Sequence, residues 1–92
     1  MRLDKFLQVT GVLKRREAAK EACAAGHVLI DGAIARQAKE VLAGQVIKIE
    51  TPRRTLKLEV LEVPRGNVAK GDRPRFVRIL EDYGTGEQDD RQ

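Results

Sequence analysis

Three consecutive cations, Lys14-Arg15-Arg16, are preceded by Arg2 and Lys5 and followed by Lys20. Guanidinium groups present planar pairs of donors to phosphate, and lysines add mobile point charges. If a helix begins at Lys14, all three cations lie at its positive end, where each is unfavourable by about 0.3–1 kcal/mol. Neither Val12 nor Leu13 is a good N-cap, so the first N–H groups of that helix lack an obvious acceptor. An anion would satisfy the free donors and the cations together. Arg16 and Lys20 share one helical face and extend such a site along a nucleic-acid backbone, and Arg2 joins them if a first helix packs on the second. The plain alternative is a solvated charged face.

Catalytic and metal chemistry find fewer candidates. Cys23 and His27 are the single cysteine and the single histidine, so no disulfide, Cys/His metal cluster or Ser/His/Asp set can be assembled around them. Cys23 falls on an alanine-rich face and reads as core. The acidic pairs Glu81-Asp82 and Asp89-Asp90 lie in or near an expected tail that would not hold a catalytic geometry. Gly84-Thr85-Gly86 follows no βαβ unit and is not a phosphate loop. We therefore expect no enzyme activity, no metal and no cofactor.

The elements that must position the cations are short. Leu3, Phe6 and Leu7 follow helical spacing, and Gly11 ends that first helix. The second helix is predicted from Lys14 to Ala25, its small face formed by Ala18, Ala19, Ala22 and Cys23, with Gly26 closing it. Strands follow: His27–Ile30, the turn Asp31-Gly32, then Ala33–Ala35. Gln45–Glu50 alternates around Ile47 and Ile49, and Leu56, Leu58 and Val60 alternate with Lys57 and Glu59 before a phase slip at Leu61 that signals a bulge. Residues 64–74 read as a loop and Phe76–Leu80 as the last strand. The fold class expected is α+β: two N-terminal helices packed on a small, mainly antiparallel sheet.

Length and charge bound the answer. Ninety-two residues make one domain, and three aromatics (Phe6, Phe76, Tyr83) leave a core of Ala, Val, Leu and Ile with no platform for stacking bases. The net charge of +4 is unevenly spread: residues 1–80 carry a net +8, whereas residues 81–92 carry five acids and one base. A basic body attracts polyanions. The domain is expected over residues 1–82, with 83–92 a disordered acidic tail. The charged opening is no secretory signal, and no uncharged apolar run approaches the roughly 18 residues of a membrane span. With its lone cysteine, the chain is expected in the cytoplasm.

Arg2-Leu3-Asp4-Lys5-Phe6-Leu7, Lys14-Arg15-Arg16, Ala19-Lys20, Gly26, Val28, Ile30-Asp31-Gly32 and Ala35 together resemble the S4-type RNA-binding domain, over residues 1 to about 50. Over its whole length the chain resembles the stand-alone RqcP type of ribosome-associated quality-control factor, including an ending like Phe76-Val77-Arg78-Ile79-Leu80-Glu81. The fifteen-kilodalton heat-shock protein group is a related type with a basic C-terminal extension; here the C-terminus is acidic. The resemblance implies an accessory factor that binds rRNA of the large ribosomal subunit and peptidyl-tRNA after a stall and assists an alanine-tailing partner protein. It places RNA contacts on Arg2, Lys5, Arg15, Arg16 and Lys20. Lys14 lies beside them, and Arg36 and Lys39, after the turn, read either as further phosphate contacts or as a solvated strand edge. Asp4, Gly26, Asp31 and Gly32 support the motif, Asp4 by orienting a neighbouring cation. Gly11 departs from relatives that often carry a basic residue there.

Two readings of other kinds stand beside it: a heat-shock-type protein or general rRNA-binding module, and a protein-interaction adaptor with no direct RNA role. RNA binding predicts log K falling with log salt at about 0.7 per phosphate contact, and the adaptor predicts no such slope. Structured RNA recognised by shape and backbone needs no aromatic platform, and a run such as Lys14-Arg15-Arg16 suits phosphates better than base edges. Arg65, Lys70, Arg73 and Arg75, in the loop before the last strand, form a second group of cations for an auxiliary contact. A monomer is expected.

Overall fold

A computed structural model describes residues 1–84. Helix α1 (Leu3–Val9) and helix α2 (Arg16–Ala24) precede strands β1 (Val28–Ile30), β2 (Ala33–Ile34), β3 (Val46–Glu50), β4 (Arg54–Val60) and β5 (Val77–Gly84), with a 3₁₀ turn at Lys70–Arg75 before β5. All strand pairings are antiparallel and the sheet order is β2-β1-β3-β4-β5. This is the α+β architecture expected from the hydrophobic pattern.

The alternating strands place Val28, Ile30, Ile47, Ile49, Leu56, Leu58 and Val60 in the core, where they form one cluster with Leu3, Phe6 and Leu7 of α1 and Ala19 and Cys23 of α2. Small residues on the inner face of α2, Ala19 and Cys23, let that helix pack closely on α1 and join the common core. Gly11 (φ +78°) and Gly26 (φ +77°) each follow a helix in the left-handed region, which glycine enters without steric cost. Asp31 (φ +50°) and Gly32 (φ +87°) make the two-residue β1–β2 turn, and the Asp31 carboxylate accepts the Val46 N–H at 2.9 Å, tying the hairpin to β3.

Several boundaries differ from expectation. Helix α2 starts at Arg16: Lys14 lies before it and Arg15, extended at φ −121° and ψ 140°, is its N-cap residue. The slip at Leu61 is real, since the N–H groups of Leu61 and Glu62 both donate to the Phe76 carbonyl, two residues facing one. A second irregularity lies between Lys57 and Leu58, where β5 gains Leu80 without a partner. Strand β5 starts at Val77 and runs beyond Leu80, so Tyr83 and Gly84, expected in the tail, pair with Thr55 and Arg54. Opposed charges explain that extension: Glu81 lies opposite Lys57, and Asp82 takes two hydrogen bonds from Arg54, at 3.0 and 2.9 Å. The expected acidic tail otherwise falls outside the described residues.

Candidate nucleic-acid interface

Asp4 organises the start of both helices. Its side chain is fully buried (0% exposed), although it is charged and sits in the first turn of α1. Arg2 reaches it with two prongs, Nε to Oδ1 and Nη2 to Oδ2, each 3.3 Å. Arg16 Nε, from the first turn of α2, approaches Oδ2 at 3.3 Å. The Lys5 backbone N–H donates to Oδ1 at 2.8 Å. Burial alone would raise the Asp4 carboxyl pKa; the Arg16 hydrogen bond, the Lys5 N–H and the two guanidinium charges outweigh it and hold the group below its ordinary value. Asp4 is therefore an anion at neutral pH that fixes two arginines and neutralises the charge of only one.

The two helix starts are finished differently. In α1, the Leu3 N–H donates to the Lys39 carbonyl at 2.8 Å and the Asp4 N–H to the Gln37 carbonyl at 3.1 Å, while Met1 and Val41 are joined at 3.0 Å. A bridge between Arg2 and Glu40 continues this seam. In α2, by contrast, no side chain caps the helix, and among the described residues no protein acceptor meets the N–H groups of Arg16, Glu17 and Ala18. Those donors and the cations of residues 14–16 occupy one helix start, which is the arrangement that favours an anion.

The expected site residues separate into groups. Arg2 and Arg16, 49% and 42% exposed at their side chains, share Asp4. Lys20 lies one turn along from Arg16 and makes only a long, exposed ion pair with Glu17, at 3.8 Å. Lys14 and Arg15 are exposed beside the start of α2, and Lys5 is half-buried in α1. Lys39 is brought to the start of α1 by its backbone carbonyl, and Arg36 lies on the same connecting segment. Gly26, Asp31 and Gly32 act as chain-reversal residues. Cys23 is buried; burial first, and the nearby Asp4 charge second, raise its thiol pKa and disfavour thiolate chemistry.

Two features escape the linear pattern. The carbonyls of Gln37 and Lys39 that complete α1 come from a segment with no motif of its own. The other lies in the loop before β5, where the sequence does not distinguish among Arg65, Lys70, Arg73 and Arg75. Arg75 is engaged locally, with Glu62 at 3.4 Å and over the Phe76 ring at 5.6 Å. Arg73 instead lies against Gly11, in the turn between the two helices: a Cβ at position 11 would stand 2.5 Å from its Nη1 and 2.6 Å from its Cζ.

Known proteins share the fold that carries these residues. The S4 domain model matches residues 1–47. The RQC P-site tRNA stabilizing factor of Helicobacter pylori strain 26695 is 36% identical over 78 residues, covering 84% of this chain and 93% of that protein. The chain belongs to the S4-domain family. Within that family it groups with the RQC P-site tRNA stabilizing factors. The RQC P-site tRNA stabilizing factor of Bacillus subtilis strain 168 is 31% identical over 87 residues, which span 95% of this chain and all of the relative. The trimeric heat shock protein 15 of Vibrio cholerae superposes with a TM-score of 0.78 at 21% identity, over 87% of this chain and 81% of its own, a likeness of fold. S4 membership accounts for the helix pair and the Asp31-Gly32 turn, and the RqcP-type relatives extend the match through the later strands.

Proposed function

We propose that this protein binds structured RNA of the large ribosomal subunit, and peptidyl-tRNA held there after a translation stall, through the face built on α1, α2 and the 36–39 segment. The observation that carries this reading is the shared carboxylate of Asp4, which fixes Arg2 and Arg16 beside the uncapped start of α2. Two guanidiniums on one carboxylate leave one positive charge uncompensated at a place that also offers free N–H donors. Lys5, Lys14, Arg15 and Lys20 extend the face, and Arg36 and Lys39 supply its flank. Near full-length similarity to RQC P-site tRNA stabilizing factors supports a role in ribosome-associated quality control. In that role the protein assists nascent-chain tailing with alanine as a non-catalytic factor, acting in the cytoplasm as a monomer without a cofactor.

The test is co-sedimentation with large subunits bearing peptidyl-tRNA. Arg16→Glu should abolish most of the bound fraction, and Arg2→Ala should reduce it to a lesser degree, with both variants folded. Four to six phosphate contacts correspond to a salt slope of about −3 to −4. Unchanged sedimentation of both variants would sink the site, and salt-independent binding would favour the protein-interaction adaptor.

A further inference from the structure

We infer that Arg73 is a phosphate-contacting residue that carries the RNA face of the helix pair across the α1–α2 turn and onto the loop before β5. The inference rests on the RNA-binding reading above and names a contact that the S4 helices alone do not contain.

Arg73 belongs to the 3₁₀ turn Lys70–Arg75, remote in sequence from the helices. Its guanidinium lies directly against Gly11, in space that any other residue's Cβ would occupy. Nε is buried and has no hydrogen-bond partner, and among the described residues no carboxylate pairs with the group. Buried donors are seldom left in this state. The side chain is thus held by packing against the turn, and among the described residues no counter-ion neutralises its charge. Arg75, two residues on, differs on both counts, being paired with Glu62 and stacked on Phe76.

The position matters as much as the charge. Gly11 precedes Lys14 by three residues, so their Cα atoms are no more than about 11 Å apart. Arg73 therefore stands on the turn that delivers Lys14-Arg15-Arg16 to the start of α2. A phosphate backbone following that face would meet Arg73 next, at the guanidinium nitrogens other than the buried Nε. Gly11 makes the placement possible through its missing side chain, in addition to its positive φ.

The experiment is a salt titration of binding to purified large ribosomal subunits, with thermal melts of every variant. Arg73→Gln should weaken binding about tenfold at moderate salt and flatten the salt slope by roughly 0.7, with Arg73→Lys intermediate. Gly11→Asn, a residue that tolerates the left-handed region, should displace the guanidinium and produce a similar loss. The double variant Gly11→Asn/Arg73→Gln should then lose little more than either single one, because both act through the same group. Arg53→Gln removes an equal charge at the opposite end of β4 and should bind as the wild type does. Equal weakening by Arg53→Gln would reduce the effect to bulk charge and overturn the inference. So would a change in melting temperature for Arg73→Gln with affinity and slope intact, which would make Arg73 a structural residue. If Arg16→Glu abolishes binding while Arg73→Gln does not alter it, this inference alone falls; if the wild type does not bind, the RNA-binding reading falls and takes this one with it.

Discussion

Arg16 Nε lies 3.3 Å from Asp4 Oδ2, so the first turn of α2 is bonded to the first turn of α1 by a carboxylate that solvent cannot reach. The pair combines a fully buried anion with a half-exposed cation. Its contribution thus lies between that of a surface ion pair and that of a fully buried one. Its geometric effect is larger than its energy: it sets the distance between Arg2 and Arg16.

Asp4→Asn preserves the side-chain shape and removes the charge. It should destabilise the fold by about 1–3 kcal/mol, the cost of leaving buried polar atoms and a charged partner poorly matched. Urea unfolding would show this as a lower midpoint at unchanged slope. Binding to large subunits should also weaken, because Arg2 and Arg16 lose their common anchor.

The same carboxyl gives the acid limb of stability a definite direction. Its folded-state pKa is below the ordinary value, so the folded protein holds that proton less tightly than the unfolded chain does. The resulting stabilisation is fully present above the ordinary carboxylate range near pH 4 and is lost as pH falls through the folded value. Unfolding free energies measured from pH 6 down to pH 2.5 should therefore show the difference between wild type and Asp4→Asn shrinking in acid. A constant difference would assign the effect of the substitution to packing.

Cys23 should behave as a core residue. Burial and the neighbouring Asp4 charge both disfavour its thiolate. Labelling with a disulfide reagent at pH 8 should be slow in buffer and fast in denaturing urea. Cys23→Ala should cost about 1 kcal/mol or less, since it removes a small buried group, and Cys23→Ser about 1–3 kcal/mol, since it buries a hydroxyl.

Arg54 and Asp82 form the best-aligned exposed ion pair, two parallel hydrogen bonds joining β4 to β5. Asp82→Asn should lower stability by no more than about 1 kcal/mol, with a smaller difference at high salt. Ribosome binding should be unchanged, because the pair lies at the end of β4 away from the 3₁₀ turn. A melt at two salt concentrations checks the first expectation, and co-sedimentation checks the second.

Much of this structure is legible in the sequence, and the rest is hidden for physical reasons. Periodic apolar residues and the glycines at 11, 26 and 32 located the helices and the first hairpin, because burial and positive φ leave strong local signatures. The cation run is equally local, whereas the start of α2 falls two residues later than expected and its uncapped residue is Arg15 in place of Leu13. The sequence pattern ends the last strand at Leu80 because Glu81, Asp82 and Tyr83 lack apolar alternation, and cross-strand charge pairing is invisible along one chain. Arg73 could be noticed as one of four cations but not singled out, since its position against Gly11 depends on how the whole sheet carries the 3₁₀ turn. The difference between the two helix starts was hidden likewise, as one is completed by carbonyls far along the sequence.

That completion has a bearing on how the protein is made. The N–H groups of Leu3 and Asp4 find their acceptors on Lys39 and Gln37, and Met1 closes on Val41. A nascent chain that has exposed only its first two helices therefore lacks the groups that end α1, and the Arg2–Asp4–Arg16 cluster is left without its floor. This cation-rich end of the molecule precedes the strands in the chain but takes its final form late, once the strands behind it have emerged. On the proposed function, the half-made protein is thus a poor ligand for the ribosome making it.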